Sequence, residues 1–265
     1  MRIGFFDSGI GGMTVLHQAL RVLPNEDFIF YADTLHVPYG EKSKEEVREY
    51  IFNAVDFMAN QGIKALVIAC NTATSIAVDD LRKKYEFPIL GIEPAVKPAV
   101  QSCQGTRKKV LVLATNLTLK EEKFHNLVNR LDQHDIVDSL ALPGLVQFAE
   151  NFEFREEKVV PYLKEKLSSY DLEQYRTIVL GCTHFPYFED SIKKLFSHEV
   201  DIISGSMGTA KNLKRILEAT NQINEGTGDI LFFKSGYKVE DKDTLSNYKK
   251  LLVKLDELLL MSTKS

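Results

Sequence analysis

The chain is predicted to be an α/β protein built as two similar halves, each a doubly wound parallel sheet with helices on both faces. Two observations predict this. First, short β-branched apolar runs alternate with segments of helical periodicity, the pattern of strands buried on both faces. Second, one such run occurs twice. Ala65-Leu66-Val67-Ile68-Ala69-Cys70-Asn71-Thr72 and Thr177-Ile178-Val179-Leu180-Gly181-Cys182-Thr183-His184 each end in a thiol followed by polar groups. Open α/β sheets place their ligands at the carboxyl ends of strands. Two halves facing each other would therefore bring both thiol loops to one cleft.

The elements follow in order. A buried strand is expected over 2–6, then a glycine loop Asp7-Ser8-Gly9-Ile10-Gly11-Gly12, then a helix over 13–22 with Val15, Leu16, Ala19, Leu20 and Leu23 at helical spacing. A strand over 28–31 leads to a loop holding Val37-Pro38-Tyr39-Gly40. Ser43, with Glu46 three residues on, predicts a capping box for a helix running to about 60. The first thiol strand, a helix over 76–84 and a strand over 88–92 complete this half. Glu93-Pro94 and Lys97-Pro98 predict a break, because the residue before proline is pushed out of helical geometry. The second half repeats the order. It has a strand over 109–113, a loop in which Ala114-Thr115-Asn116 takes the place of Asp7-Ser8-Gly9, and a helix over 120–131. A strand over 136–140, a helix over 159–167, the second thiol strand, a helix over 190–196 and a strand over 200–203 follow. A helix over 211–217, a strand over 230–233 and a last helix with Tyr248, Leu251, Leu252, Leu255, Leu258 and Leu259 on one face are expected to return to the first domain. The expected domains are 1–95 with 208–265, and 96–207.

Composition narrows the function. In 265 residues, 44% hydrophobic and 26% charged, the balance is that of an ordinary soluble globular protein. A net charge of −4 offers no basic field for nucleic acid. No apolar run approaches the ~20 residues that span a membrane. The amino terminus enters a strand at once, leaving no room for a signal peptide. Three cysteines form no disulfide framework, and a cytoplasmic, reduced protein is expected. Metal ligation is not expected either, since there is no C-x-x-C and no pair of histidines at ligand spacing.

The cysteines carry the chemistry. Cys103, among polar loop residues, reads as a small buried hydrophobe. Cys70 and Cys182 each follow a small residue and precede polar groups at an expected helix start, where a thiolate is favoured over a thiol. A single thiol nucleophile with His184 as base, as in an amidase or acyl-transferase, uses one cysteine and leaves the other idle. A thiol pair across a planar intermediate uses both. One removes a proton from carbon, the other returns one to the opposite face, and no cofactor is needed. A regulatory protein that keeps the fold remains a third reading. Gly9-Ile10-Gly11-Gly12-Met13-Thr14 begins like a dinucleotide loop with Asp33 downstream, but Thr14 stands at the last glycine and Asp7 would face the pyrophosphate. Asp7 reads as a cap or as a carboxylate acting on the first thiol or on a substrate ammonium. The Tyr39 hydroxyl and Gly40 N–H suit a carboxylate ligand, and Asn71, Thr72 and Thr183 supply short donors at two strand ends.

The motifs Phe6-Asp7-Ser8-Gly9-Ile10-Gly11-Gly12, Val37-Pro38-Tyr39-Gly40, Ala69-Cys70-Asn71-Thr72-Ala73, Ile92-Glu93-Pro94 and Gly181-Cys182-Thr183-His184-Phe185-Pro186 together resemble those of the glutamate racemases, within the aspartate/glutamate racemase family. The resemblance implies two α/β domains related by a pseudo-two-fold axis with the active site between them. It implies a cofactor-independent enzyme supplying D-glutamate for bacterial peptidoglycan, usually a homodimer, with no nucleic-acid or membrane partner. By motif, Cys70 and Cys182 resemble the catalytic acid–bases, the first acting on the D-isomer and the second on the L-isomer. Asp7 and His184 resemble the groups that assist them at the substrate, Ser8, Tyr39, Gly40, Asn71, Thr72 and Thr183 resemble substrate contacts, and Glu150 resembles an acid near the second thiol. Related racemases acting on aspartate or on several amino acids are the alternative within the family. Two departures stand out: Ala114 where the family often has glycine, and Ile203-Ser204-Gly205-Ser206-Met207-Gly208 where it usually has a serine-glycine-acid pattern.

Overall fold

The computed structural model describes residues 1–132 and 134–262. The first half contains β1 (Arg2–Asp7), α1 (Met13–Val22), β2 (Phe28–Ala32), α2 (Lys44–Asn60), β3 (Ile63–Ile68), α3 (Asn71–Lys84) and β4 (Ile89–Gly91). The second contains α4 (Val96–Cys103), β5 (Lys109–Ala114), α5 (Asn116–Lys120), α6 (Glu122–Leu131), β6 (Val137–Ala141), α7 (Pro143–Glu150), α8 (Glu156–Leu167), β7 (Tyr175–Leu180), α9 (Glu189–Lys193) and β8 (Asp201–Ser204). Then come α10 (Ser206–Ala219), β9 (Ile230–Lys234), β10 (Tyr237–Lys238) and α11 (Lys242–Ser262).

The strands form two sheets, in the orders β10-β9-β2-β1-β3-β4 and β6-β5-β7-β8. Within them β2-β1-β3-β4 and β6-β5-β7-β8 are the same path walked twice. Every pairing is parallel except the short β9–β10 ribbon. The repeat reaches the register: β1 against β3 and β5 against β7 each shift after their first residue. Equivalent positions therefore coincide, with Asp7 matching Ala114 and Ser8 matching Thr115. The sheet interiors, such as Ile3, Phe5 and Phe30 or Val110, Leu111 and Val112, are fully buried. This is the condition that makes parallel strands read as unbroken apolar runs. One apolar core runs from Ile3 and Phe28 through Leu111 and Ile178 to Leu251, joining both sheets.

Local chemistry sets the boundaries. The Ser43–Glu46 capping box opens α2 as predicted. Cys70 caps α3, so that helix begins at Asn71 rather than at 76. Four other expectations are corrected. Lys97-Pro98 does not break the chain, because Pro98 is the third residue of α4, where the missing N–H would be unpaired anyway. The helix expected over 120–131 is two helices meeting at Glu121. The helix α7 had no counterpart in the sequence reading. The helix expected over 190–196 is a 3₁₀ turn, Phe185–Phe188, followed by the five residues of α9. The last helix presents the anticipated face: Tyr248, Leu251 and Leu255 are buried, and α11 packs on α1. Among the described residues no helix is long and apolar enough to cross a membrane.

Candidate active site

A narrow cavity lies between the two sheets at the carboxyl ends of their strands. Ser8, Tyr39, Gly40, Cys70, Asn71 and Thr72 line it from the first half, and Cys182, Thr183 and His184 from the second. Of the residues nominated for this site, Asp7 and Glu150 do not line it; Asp7 is fully buried behind the wall. The two thiols are free, and each is 6% exposed.

Cys70 stands two residues beyond β3, where its sulfur accepts from the Ala73 N–H at 3.4 Å and meets Ser8 Oγ at 3.8 Å. The helix terminus was expected to pull this thiol towards neutrality. Burial is the larger effect and pushes it up, aided by the charge of Asp7 and offset in part by the Ala73 N–H.

Cys182 stands two residues beyond β7, yet no helix of comparable length starts there. The expected helix terminus is replaced by histidine: His184 Nδ1 lies 3.7 Å from the sulfur, and Nε2 lies 2.6 Å from Glu150 Oε1. Burial alone would lower the imidazole, but its hydrogen bonds to Cys182 and Glu150 outweigh that and hold it well above its ordinary value. The imidazolium is therefore the favoured form of the ring beside Cys182, with Glu150 fixing its orientation.

The glycine loop joins the two sites. Asp7 Oδ2 accepts from Gly12 N at 2.8 Å and Gly9 N at 3.2 Å, and Thr183 Oγ1 donates to Oδ1 at 3.4 Å. Asp7 thus ties the loop and meets the second thiol's loop, without a bond to Cys70. Burial raises its carboxyl to about 6, against the lowering pull of His184. Ile10 N donates to Glu150 Oε1 at 2.8 Å, Thr14 Oγ1 donates to Thr183 O at 3.0 Å, and Tyr187 OH donates to Ile10 O at 3.1 Å. A Cβ at Gly9 would lie 1.8 Å from Glu150 Oε1, and one at Gly11 2.5 Å from His184 Nδ1. Close approach, not phosphate binding, explains these glycines.

Tyr39 differs from its sequence reading. Its hydroxyl donates to buried Asp33 at 2.6 Å, so it offers the cavity a ring, while Gly40 presses against Thr115. Asn71 Nδ2 reaches Ile92 O at 3.4 Å. Thr72 joins a ring of hydroxyls with Thr115 and Thr118, at separations of 2.9–3.0 Å. That ring was missed, as were Glu41, Asn116, Pro143 and Val146 in the lining. Thr115, already aligned with Ser8, was the available signal for the ring, and Pro143 at the first helical position was the signal for α7. Among the described residues no group of His, Cys, Asp and Glu is placed to hold a metal ion.

Fold and site define a repeated α/β protein with one buried thiol from each repeat facing a shared cavity. The chain belongs to the Asp/Glu/Hydantoin racemase family, whose model matches residues 13–210. It is similar to glutamate racemase 2 of Bacillus subtilis, with 67% identity over 97% of each chain. To a glutamate racemase of Halothermothrix orenii it is 57% identical, over 95% of this chain and 99% of the other. The solved glutamate racemase of Francisella tularensis, in complex with D-glutamate, superposes with a TM-score of 0.80 at 27% identity, covering 95% and 93% of the two chains.

Proposed function

We propose that this protein is a glutamate racemase that interconverts L- and D-glutamate with two thiols and no cofactor. The observation that carries the proposal is that Cys70 and Cys182 leave equivalent strand ends of the two repeats and line one cavity. Its relatives' names support glutamate as the substrate.

With L-glutamate, the Cys182 thiolate takes the Cα proton and becomes a thiol, leaving a planar carbanion. The Cys70 thiol then gives its proton to the opposite face and becomes the thiolate, and D-glutamate is formed. The reverse direction exchanges the roles. His184, backed by Glu150, stabilises the Cys182 thiolate. Ser8 and the Ala73 N–H serve Cys70, and Asp7 holds the loop from which Ser8 projects. The Gly40 N–H, Asn71, Thr72 and Thr183 hold the carboxylates, and the Tyr39 ring forms the wall; such preorganised donors stabilise charge that develops in the transition state. The same reading assigns domains 1–95 with 208–265 and 96–207, a homodimer, a cytoplasmic location and a supply of D-glutamate to peptidoglycan.

The test is the circular dichroism of L-glutamate with purified protein, reducing agent and no added cofactor, with L-aspartate in parallel. Loss of signal with glutamate alone is expected. In heavy water the product alone should carry deuterium at Cα. Loss with aspartate instead replaces the substrate and keeps the chemistry. No loss with either, from folded protein with free thiols, overturns the proposal.

A further inference from the structure

A second cavity, of about 320 Å³, lies outside the thiol cleft, where α1, α10 and α11 meet the end of β8. Its walls are largely apolar, formed by Ile202, Ile203, Met207, Leu255, Leu258 and Leu259. One polar group in its lining is unsatisfied. Ser206 is 4% exposed, and its Oγ is buried without a hydrogen-bond partner. Folding tolerates such a hydroxyl at a cost unless something pairs with it.

Ser206 is the first residue of α10, a helix of 14 residues. Its cap residue, Gly205, has no side chain, Ser204 Oγ accepts only the Ser206 N–H, at 3.5 Å, and no acid stands in the first turn. A helix terminus of this kind carries partial positive charge and N–H groups aimed outward, and it attracts anions. No lysine or arginine lines the cavity, and the one acid that does, Glu189, is paired with Lys193 at 2.7 Å. Without a cationic side chain the terminus suits a single negative charge rather than a phosphate dianion.

We propose that this cavity binds a small amphipathic monocarboxylate, its head on Ser206 Oγ and the first turn of α10, its apolar tail along Leu255, Leu258 and Leu259. The site is separate from the proposed racemase chemistry and stands whether or not glutamate is the substrate.

Calorimetric titration of the whole protein with decanoate, 1-decanol and acetate tests it, on the unaltered chain and on S206A and S206E. Decanoate should bind with one-to-one stoichiometry, and decanol and acetate at least about tenfold more weakly. S206A should weaken decanoate several-fold. S206E, which places an acid at the helix terminus, should abolish binding while leaving racemisation unchanged. Equal binding of decanol, or equal decanoate binding by S206A and S206E, overturns the proposal; the latter would also expose decanoate held in the thiol cleft. If S206E does not fold, S206A alone decides, because it removes only the hydroxyl.

Discussion

Cys70 and Cys182 occupy one position in a repeated half-fold and are held in different ways. The first sits at the start of a 14-residue helix and relies on a backbone N–H and Ser8. The second has no such helix and relies on a charged relay through His184 to Glu150. Desolvation explains why a helix terminus alone is not enough: at Cys70 burial outweighs the N–H and raises the thiol. At Cys182 the chain offers a full imidazole–carboxylate pair instead. Equivalent backbone geometry thus sets where each thiol stands, and the neighbouring side chains set which charges face it.

The sharpest way to break this comparison is to remove either thiol. Cys70→Ser and Cys182→Ser should each lower racemisation by about 10²-fold or more, measured by circular dichroism of either enantiomer. Survival of turnover in one of them would reduce the pair to a single-thiol mechanism.

His184→Asn should distinguish the two thiols, with kcat/KM falling by about tenfold to a hundredfold. The enantiomers have equal free energy, so kcat/KM must fall equally in both directions. The asymmetry appears instead in the isotope effect. It should rise for α-deuterated L-glutamate, where Cys182 breaks the bond, and shrink for α-deuterated D-glutamate. Equal changes would mean that His184 serves both thiols.

Gly11→Ala adds a methyl group where His184 Nδ1 lies 2.5 Å away. Displacing the ring from Cys182 should lower kcat by about tenfold, with the isotope pattern of His184→Asn. Unchanged kcat would show that the ring position is not critical.

Asp7 offers a pH test. Its carboxyl is raised from 3.8 to about 6, so the folded state binds the extra proton in that window. Stability from this group is full below 3.8 and is lost as pH rises through about 6. Asp7→Asn should therefore gain relative to the unaltered protein by up to about 3 kcal/mol between pH 4 and pH 7, read from denaturant melts. A flat difference would deny the shift. The smallest effect belongs to the third thiol: Cys103→Ala should cost about 1 kcal/mol of stability and leave racemisation unchanged.

The parts visible in the sequence were those governed by period and repetition. The thiol strands, the Ser43 capping box and the face of α11 rest on local pattern, and the pairing of Cys70 with Cys182 rests on the repeat. What stayed hidden depends on contacts between distant segments. Glu150 was placed near the second thiol by the family resemblance alone; its bond to His184 depends on α7 carrying it against the glycine loop. The Tyr39 hydroxyl turned from the cavity to Asp33 because a buried carboxylate six residues earlier needed a donor. No spacing rule encodes either choice.

The bonds between the glycine loop and the second thiol's loop have a genetic consequence. Thr14 binds the carbonyl of Thr183, Tyr187 binds the carbonyl of Ile10, and Glu150 binds the N–H of Ile10. One partner in each of these three bonds is main chain, which no codon change can delete short of proline at the N–H; the Thr183–Asp7 bond alone has a side chain at both ends. The main-chain roles of Ile10 and Thr183 survive changes in their own side chains, whereas Thr14, Tyr187 and Glu150 are positions where one missense change removes a bond across the junction.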